Sequence, residues 1–200
     1  MSNQNRPSGL RPVGNIRGNN YNGSARLYSI AAANVNAFAM GDPVITDGAV
    51  GADSRGVPAI TIAPITGPLR GVIVGLFDTY PGIAQVSDPN RTIRTSGAKT
   101  TVWYAMVCDD PDTLFEVQEI ETGTLLALAD VGLNVNLVAG TNNGFISGWL
   151  LGNTTEAVTA TLQMRVFGPV QRQDNFIGLP FQKWLVSINA HELNGGTAGL

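Results

Sequence analysis

Few side chains in this sequence have the chemistry of a catalytic or metal centre. The 200-residue chain has one histidine, His191, and one cysteine, Cys108. A Ser-His-Asp or Cys-His centre needs a histidine beside its nucleophile. His191 instead follows a strand-like segment and neighbours Glu192, so we expect a surface or strand-end residue. Zinc requires three or four His, Cys or carboxylate ligands. We therefore predict no catalytic residue, no metal site and no cofactor.

Carboxylates are concentrated between residues 109 and 121, and three interpretations of them remain open. Asp and Pro favour turns, so residues 109–112 (DDPD) predict a turn, followed by a strand with Glu116 on its solvent face. Oxygen-rich loops also bind calcium, although this spacing lacks the Asp-x-Asp-x-Asp-Gly pattern. Two carboxylates such as Asp110 and Glu116 are what a glycosidase uses. The turn is the favoured interpretation.

Several other distinctive residues favour a structural role. Cys108 ends an apolar run from residue 102, which predicts an inert core thiol. Gly71 and Gly75 lie inside another apolar run with no following GK[ST], so we expect a bulge or a close backbone approach rather than a phosphate loop. Tryptophan side chains can stack on sugars, but at least two of the three lie in strand patterns and are expected in the core.

The charge of the chain is low and unevenly distributed. Charged residues make up 14% of the sequence, against roughly a quarter in ordinary soluble domains. Residues 1–41 contain four arginines and no acid, so this part carries +4. Because the total is −3, the remainder carries −7. Such asymmetry is typical of a chain with an interaction tail, and the acidic body of a neighbouring copy would supply carboxylates for the arginines.

Residues 1–24 predict an extended N-terminal arm. The segment has no helical or strand period and is rich in Asn, Gly and Pro, so in isolation we expect it to be extended or disordered. A floppy terminus is the alternative. Apolar residues nevertheless recur between the arginines, as in an arm laid along a partner. The predicted partner-binding residues are Arg6, Leu10, Arg11, Val13, Ile16, Arg17 and Tyr21.

The rest of the chain has the patterns of a β protein. Eight to ten short strand patterns are separated by Gly, Pro, Asn and Asp clusters. The strands are predicted at residues 26–30, 40–45, 59–63, 70–77, 101–108, 114–118, 134–138, 159–167 and 182–189. Residues 125–129, with one or two helical turns, are the best helix candidate. We predict an all-β fold with a single β-sandwich or barrel body, jelly-roll-like, over residues 25–193. Residues 194–200 are predicted as a flexible tail. The polar N-terminus does not resemble a secretory signal, and no apolar stretch is long enough for a membrane helix.

Several segments together resemble the capsid decoration (cement) proteins and related head structural proteins of tailed bacteriophages. They span nearly the whole chain: RPSGLRPVGNIRGNNYNG (6–23), GDPV (41–44), RGVIVG (70–75), DDPDTLFEVQE (109–119), LNVNLV (133–138), QRQDN (171–175) and KWLVSINAHEL (183–193).

The resemblance implies a non-catalytic β-rich protein on the outer surface of the virion capsid, made in the host cytoplasm. Its partners would be the major capsid protein and neighbouring copies in a homodimer or homotrimer, with no membrane and no direct nucleic-acid contact. A tail- or fibre-associated β-module that binds carbohydrate or a receptor is the alternative. A β-sandwich glycosidase is a third hypothesis.

Overall fold

The computed structural model describes residues 2–48, 53–82, 88, 90–196 and 198–199. Within them the chain forms short strands and one 3₁₀ helix at Leu128–Asp130. The strands are β1 (Arg11–Asn15), β2 (Arg26–Ile30), β3 (Phe38–Ala39), β4 (Pro43–Asp47), β5 (Ala59–Ile62), β6 (Gly71–Phe77), β7 (Ile93–Arg94), β8 (Trp103–Cys108), β9 (Thr113–Gln118), β10 (Asn134–Val135), β11 (Leu137–Val138), β12 (Leu150–Leu151), β13 (Met164–Pro169) and β14 (Lys183–Ile188).

Five strands close into a barrel in the order β2-β5-β4-β6-β8. Successive residues of a strand point to opposite faces, and the barrel wall follows this rule. Ile73 and Val107 point inward, whereas Val72 and Cys108 point outward. The interior is filled by apolar side chains of the wall strands together with Phe38 of β3.

The second layer is an antiparallel sheet in the order β1-β9-β14-β13-β10. Phe115, Val117, Trp184, Val186 and Met164 on its inner face pack against outward-pointing residues of the barrel. The core between the two layers is therefore shared by both, and the chain passes from one to the other through the turn between β8 and β9.

The all-β class and a barrel within the body are confirmed. Three local predictions were wrong in detail. Residues 134–138 form two strands in different sheets rather than one, and the strand predicted from residue 159 begins at Met164. The helix predicted at residues 125–129 is only the single turn of 3₁₀ helix.

The two glycines of β6 have separate structural reasons. A Cβ on Gly71 would lie 2.4 Å from the carbonyl oxygen of Cys108, so the backbones approach too closely for any side chain. Gly75 follows a register shift in the pairing of β6 with β8, between Ile73 and Gly75. The predicted close approach and bulge are thus both present.

Candidate interaction sites

The N-terminal segment lies along the body of its own chain. β1 pairs antiparallel with β9, with Arg11 opposite Glu116 and Asn15 opposite Thr113. The chain then turns back, and the amide of Tyr21 donates to the carbonyl of Val13 at 3.3 Å. The backbone groups at this edge of the sheet are thereby paired within the chain, which protects an edge strand from pairing with other molecules.

Leu10 fixes the segment to the shared core. Its side chain is 1% exposed and packs in the cluster between barrel and sheet. Its amide donates to the carbonyl of Gly41 at 2.9 Å. The preceding Gly9 has a φ of 63°, and a Cβ there would lie 2.3 Å from the same carbonyl oxygen. Only glycine allows the chain to pass this close to the backbone of Gly41 with this φ angle.

Residues 3–6 are hydrogen-bonded to Gln118 at the end of β9 and to the segment that precedes β14. The Asn3 side chain donates to the carbonyls of Phe176 and Leu179 at 2.9 and 3.2 Å. The Gln118 side chain accepts from the amide of Arg6 and donates to the side chain of Asn5. The expectation that Glu116 faces solvent was wrong, because Glu116 is only 7% exposed and forms ion pairs with other side chains.

The predicted partner-binding residues divide into two sets. Leu10 is buried, and Val13 and Tyr21 are half-buried against the chain's own body. The remaining four are exposed, and these are Arg6, Arg11, Ile16 and Arg17. Arg17 forms an ion pair with Asp112 at 2.7 Å. A carboxylate of the same chain thus takes the place that we expected a neighbouring copy to fill.

The acidic segment 109–112 forms the predicted turn. The amide of Thr113 donates to the carbonyl of Asp110, and the amide of Asp112 donates to the Asp110 side chain. Asp109 is buried and accepts from the Tyr28 hydroxyl at 2.7 Å, while Arg70 donates to that hydroxyl. The carboxylates have different partners, and no group of three or more His, Cys, Asp or Glu side chains among the described residues could hold a metal ion.

His191 is at a strand end, as predicted, but it is not on the surface. It is 1% exposed, and its Nδ1 accepts from the amide of Leu193 at 3.0 Å. Nε2 is buried without a hydrogen-bond partner among the described residues. Burial, and then the positive charge of Arg70, lowers the pKa of His191 below its usual value. The buried site therefore favours the neutral imidazole over its protonated form.

Glu119 is a fully buried carboxylate whose role the sequence did not indicate. It accepts from the amide of Leu126 at 2.8 Å, from Asn153 at 2.9 Å and from the indole of Trp184 at 2.8 Å, and also from the side chain of Gln182. Donors from three separate segments meet at one side chain. Such a network specifies how these segments pack.

Two further buried charges lie near β3. Burial raises the pKa of Asp42 to about 6, although the amide of Ala39 donates to its carboxylate at 2.7 Å. Arg94 is fully buried and donates to the carbonyls of Asn34 and Asn36, each at 2.7 Å. Burial also lowers the pKa of Arg94. Neutral carbonyls hold this cation, which locks residues 34–36 onto the barrel.

The predicted core residues are buried. Cys108 is fully buried, and burial raises the pKa of its thiol, so it stays protonated and unreactive. Trp103, Trp149 and Trp184 are at most 7% exposed. They are not available as platforms for sugar rings.

The most exposed large apolar side chain of the described residues is Phe145, at 71%. It lies on a turn that Asn143 orders, because the side-chain oxygen of Asn143 accepts from the amides of Phe145 and Ile146, each at 3.0 Å. Val35, 61% exposed, is at the same end of the barrel. Residues 90–99 connect Val35 with Phe145. The amide of Gly97 donates to the carbonyl of Val35, and Thr95 lines a cleft together with Phe145. In the sequence, Phe145 is marked only by its position in an Asn-Asn-Gly-Phe turn.

A polar cleft of about 330 Å³ lies between the N-terminal hairpin and the acidic turn. It is lined mainly by amides and carboxylates, with Tyr21 and Arg17 at its wall. The lining amides and carboxylates are Asn15, Asn19, Asn20, Asn22, Asp110 and Asp112.

Comparison of the chain with protein-family models, curated proteins and solved structures found no match. Among the described residues, no helix is long and apolar enough to cross a membrane.

Proposed function

We propose that the protein is a tailed-bacteriophage capsid cement protein that binds the major capsid protein lattice from outside and stabilises the head without catalysis. The resemblance described above suggests the class. The observation that carries the proposal is Phe145, an aromatic side chain held 71% exposed on an ordered turn. Aromatic side chains, phenylalanine among them, are enriched at the cores of protein–protein interfaces.

The energetics of such a contact suit a cement protein. Full burial of a phenylalanine side chain contributes about 1.5–3 kcal/mol. Because Asn143 already orders the turn, little conformational entropy is lost on binding. The low fraction of charged residues, 14%, reduces the number of ions that must be desolvated when large surfaces meet.

The proposal is tested with heads that lack the protein, assembled from the major capsid protein of the same phage. Purified wild-type chain and the Phe145→Ser variant are titrated onto such heads, and occupancy is measured by electron cryomicroscopy and gel densitometry. We expect the wild type to saturate the lattice and to raise the temperature at which the heads dissociate. Phe145→Ser should weaken binding by about tenfold, which corresponds to roughly 1.4 kcal/mol.

Phe167→Ser is the matched control, because Phe167 is also an exposed phenylalanine, at 42%, but lies on β13 in the other layer. It should bind as the wild type does. If wild-type protein does not bind heads, the cement function is wrong. If both variants bind with wild-type affinity, Phe145 is not the contact residue.

A second candidate is a tail- or fibre-associated module that binds carbohydrate, and the polar cleft beside Asp110 favours it. Amide and carboxylate groups are the partners that sugar hydroxyls need, and the cleft has about the volume of a small-ligand site, 330 Å³. A glycan array followed by calorimetry tests this function. Binding that Asn20→Ala abolishes would support it, and no binding to any glycan would count against it.

A further inference from the structure

We propose that residues 2–21 also bind in the same place on a second copy of this chain, so that two copies exchange their N-terminal segments. In the structure, the contacts that hold this segment in place are made with the body. Leu10 contacts Gly41, β1 pairs with β9, and Asn3 contacts Phe176 and Leu179. The body of a second copy offers an identical set of contacts.

The connector between the segment and the body has the properties that exchange requires. Residues 22–24 are exposed. The described hydrogen bonds of these three residues are local. The amide of Ser24 donates to the side-chain oxygen of Asn22, and the carbonyl of Ser24 accepts from the hydroxyl of Tyr21. Gly23 has a φ of 84°, in the region that glycine enters at low cost. Redirecting the chain here breaks no described hydrogen bond between residues 22–24 and the body, and three extended residues span about 10–11 Å.

Charge also favours capture of the segment by a second body. Residues 2–21 carry three arginines and no acid, so they contribute +3 to a total of −3 and leave −6 on the rest of the chain. Arg17 and Asp112, which form an ion pair in the structure, illustrate the attraction. This complementarity acts between copies as well as within one.

The balance between the two arrangements depends on concentration. Because the contacts are the same, exchange between copies costs mainly the entropy of association. Copies crowded on a surface have a high effective concentration, which reduces that cost. The inference deepens the proposed function, because a lattice of cement subunits would supply the crowding. The exchange itself takes place between copies of this chain, so the experiment that tests it uses no capsid heads.

Two single-cysteine chains test the exchange directly. One carries Gly14→Cys and the other Leu114→Cys, both with Cys108→Ala, because Gly14 and Leu114 are register partners across β1 and β9. Paired positions of antiparallel strands are close enough for a disulfide. The chains are mixed, unfolded in urea, refolded together at high concentration and oxidised. We expect a covalent dimer of twice the 21.0 kDa chain mass, with positions 14 and 114 joined, as peptide mass spectrometry would show.

The matched control pairs the Gly14→Cys chain with a Ser96→Cys chain, because Ser96 is exposed on a loop that the segment does not contact. Exchange should give about tenfold more dimer than this random collision pair. A chain with both Gly14→Cys and Leu114→Cys reports the arrangement within one copy. If that chain closes its disulfide while the mixture gives only control levels of dimer, the proposal is overturned.

A deletion of residues 22–24 gives a second measurement that needs no cysteine. A shortened hinge cannot close the path within one chain and drives exchange between chains. Light scattering should then show a folded dimer. A folded monomer would contradict the proposal, and so would a chain that stays unfolded at every concentration, because exchange would have restored the missing contacts.

Discussion

The interior of the barrel is filled mainly by its own wall strands, whereas the core between barrel and sheet includes Leu10, which comes from the N-terminal segment just before β1. The sheet therefore depends on a part of the chain that looks like a detachable arm, and the barrel does not. Removing residues 1–24 would take away a core side chain and an edge strand together. Point substitutions separate these effects better than truncation does.

The largest effect is expected from Leu10→Ala. Truncating a buried leucine removes burial energy and leaves a cavity, which costs about 2–5 kcal/mol. Leu76→Ala is the matched variant inside the barrel, since Leu76 is also 1% exposed. Urea unfolding should show similar losses for both. If Leu10→Ala costs no more than Leu128→Ala, whose side chain is 63% exposed, the segment is not part of the core.

Asp42→Asn is expected to stabilise the barrel side of the molecule. The folded-state pKa of Asp42, about 6, lies above its usual value of 3.8. Protonation therefore favours the folded state, and stability falls as the pH rises from about 4 to 6. The asparagine variant can still accept from Ala39 but carries no charge, so it should gain about 1–3 kcal/mol at pH 8.

At pH 4 the Asp42→Asn variant should be close to the wild type, because the aspartate is then largely protonated in the folded state. Thermal or urea unfolding at both pH values checks this. A gain that is equal at pH 4 and pH 8 would show that the charge of Asp42 is not the cause.

His191 should produce the opposite pH dependence. Because burial lowers the pKa of its imidazole, the unfolded chain binds a proton more readily than the folded one. Stability is then lost as the pH falls below the usual value of 6.5. In His191→Asn the side-chain oxygen can accept from Leu193, and the slope below pH 6.5 should be smaller. An unchanged slope would assign the pH dependence to other groups.

The smallest effect is expected from Arg17→Gln. The side chain of Arg17 is 77% exposed in its ion pair with Asp112, and such pairs contribute about 0–1 kcal/mol and are screened by salt. Unfolding at low and high salt should differ little from the wild type. A loss as large as that of Leu10→Ala would mean that charge, rather than burial, holds the segment in place.

The strands that were read correctly from sequence share one property. β2, β6, β8 and β14 are built from apolar or alternating runs whose burial follows from their own residue pattern. β1 and the short strands β3, β7 and β12 have no such pattern. They are strands because other parts of the chain supply hydrogen-bond partners, as β9 does for β1.

The candidate sites divide in the same way. The turn at residues 109–112 and the core position of Cys108 follow from local chemistry, and both were predicted. The burial of Glu116 and Glu119 was not predicted, because a polar side chain is buried only where remote groups satisfy it. Glu116 and Glu119 are satisfied by Arg172 and Trp184, which follow more than fifty residues later.

The sequence by itself determined an all-β body, its principal strands, its acidic turn, its inert cysteine and a basic N-terminal segment facing an acidic remainder. These features depend on residue types and on periodicity within a few positions. Only the tertiary structure decided that the segment lies on its own chain, with Leu10 in the core and Arg17 on Asp112. Burial and ion pairing join residues far apart in sequence, and no local pattern encodes which copy of the body they join.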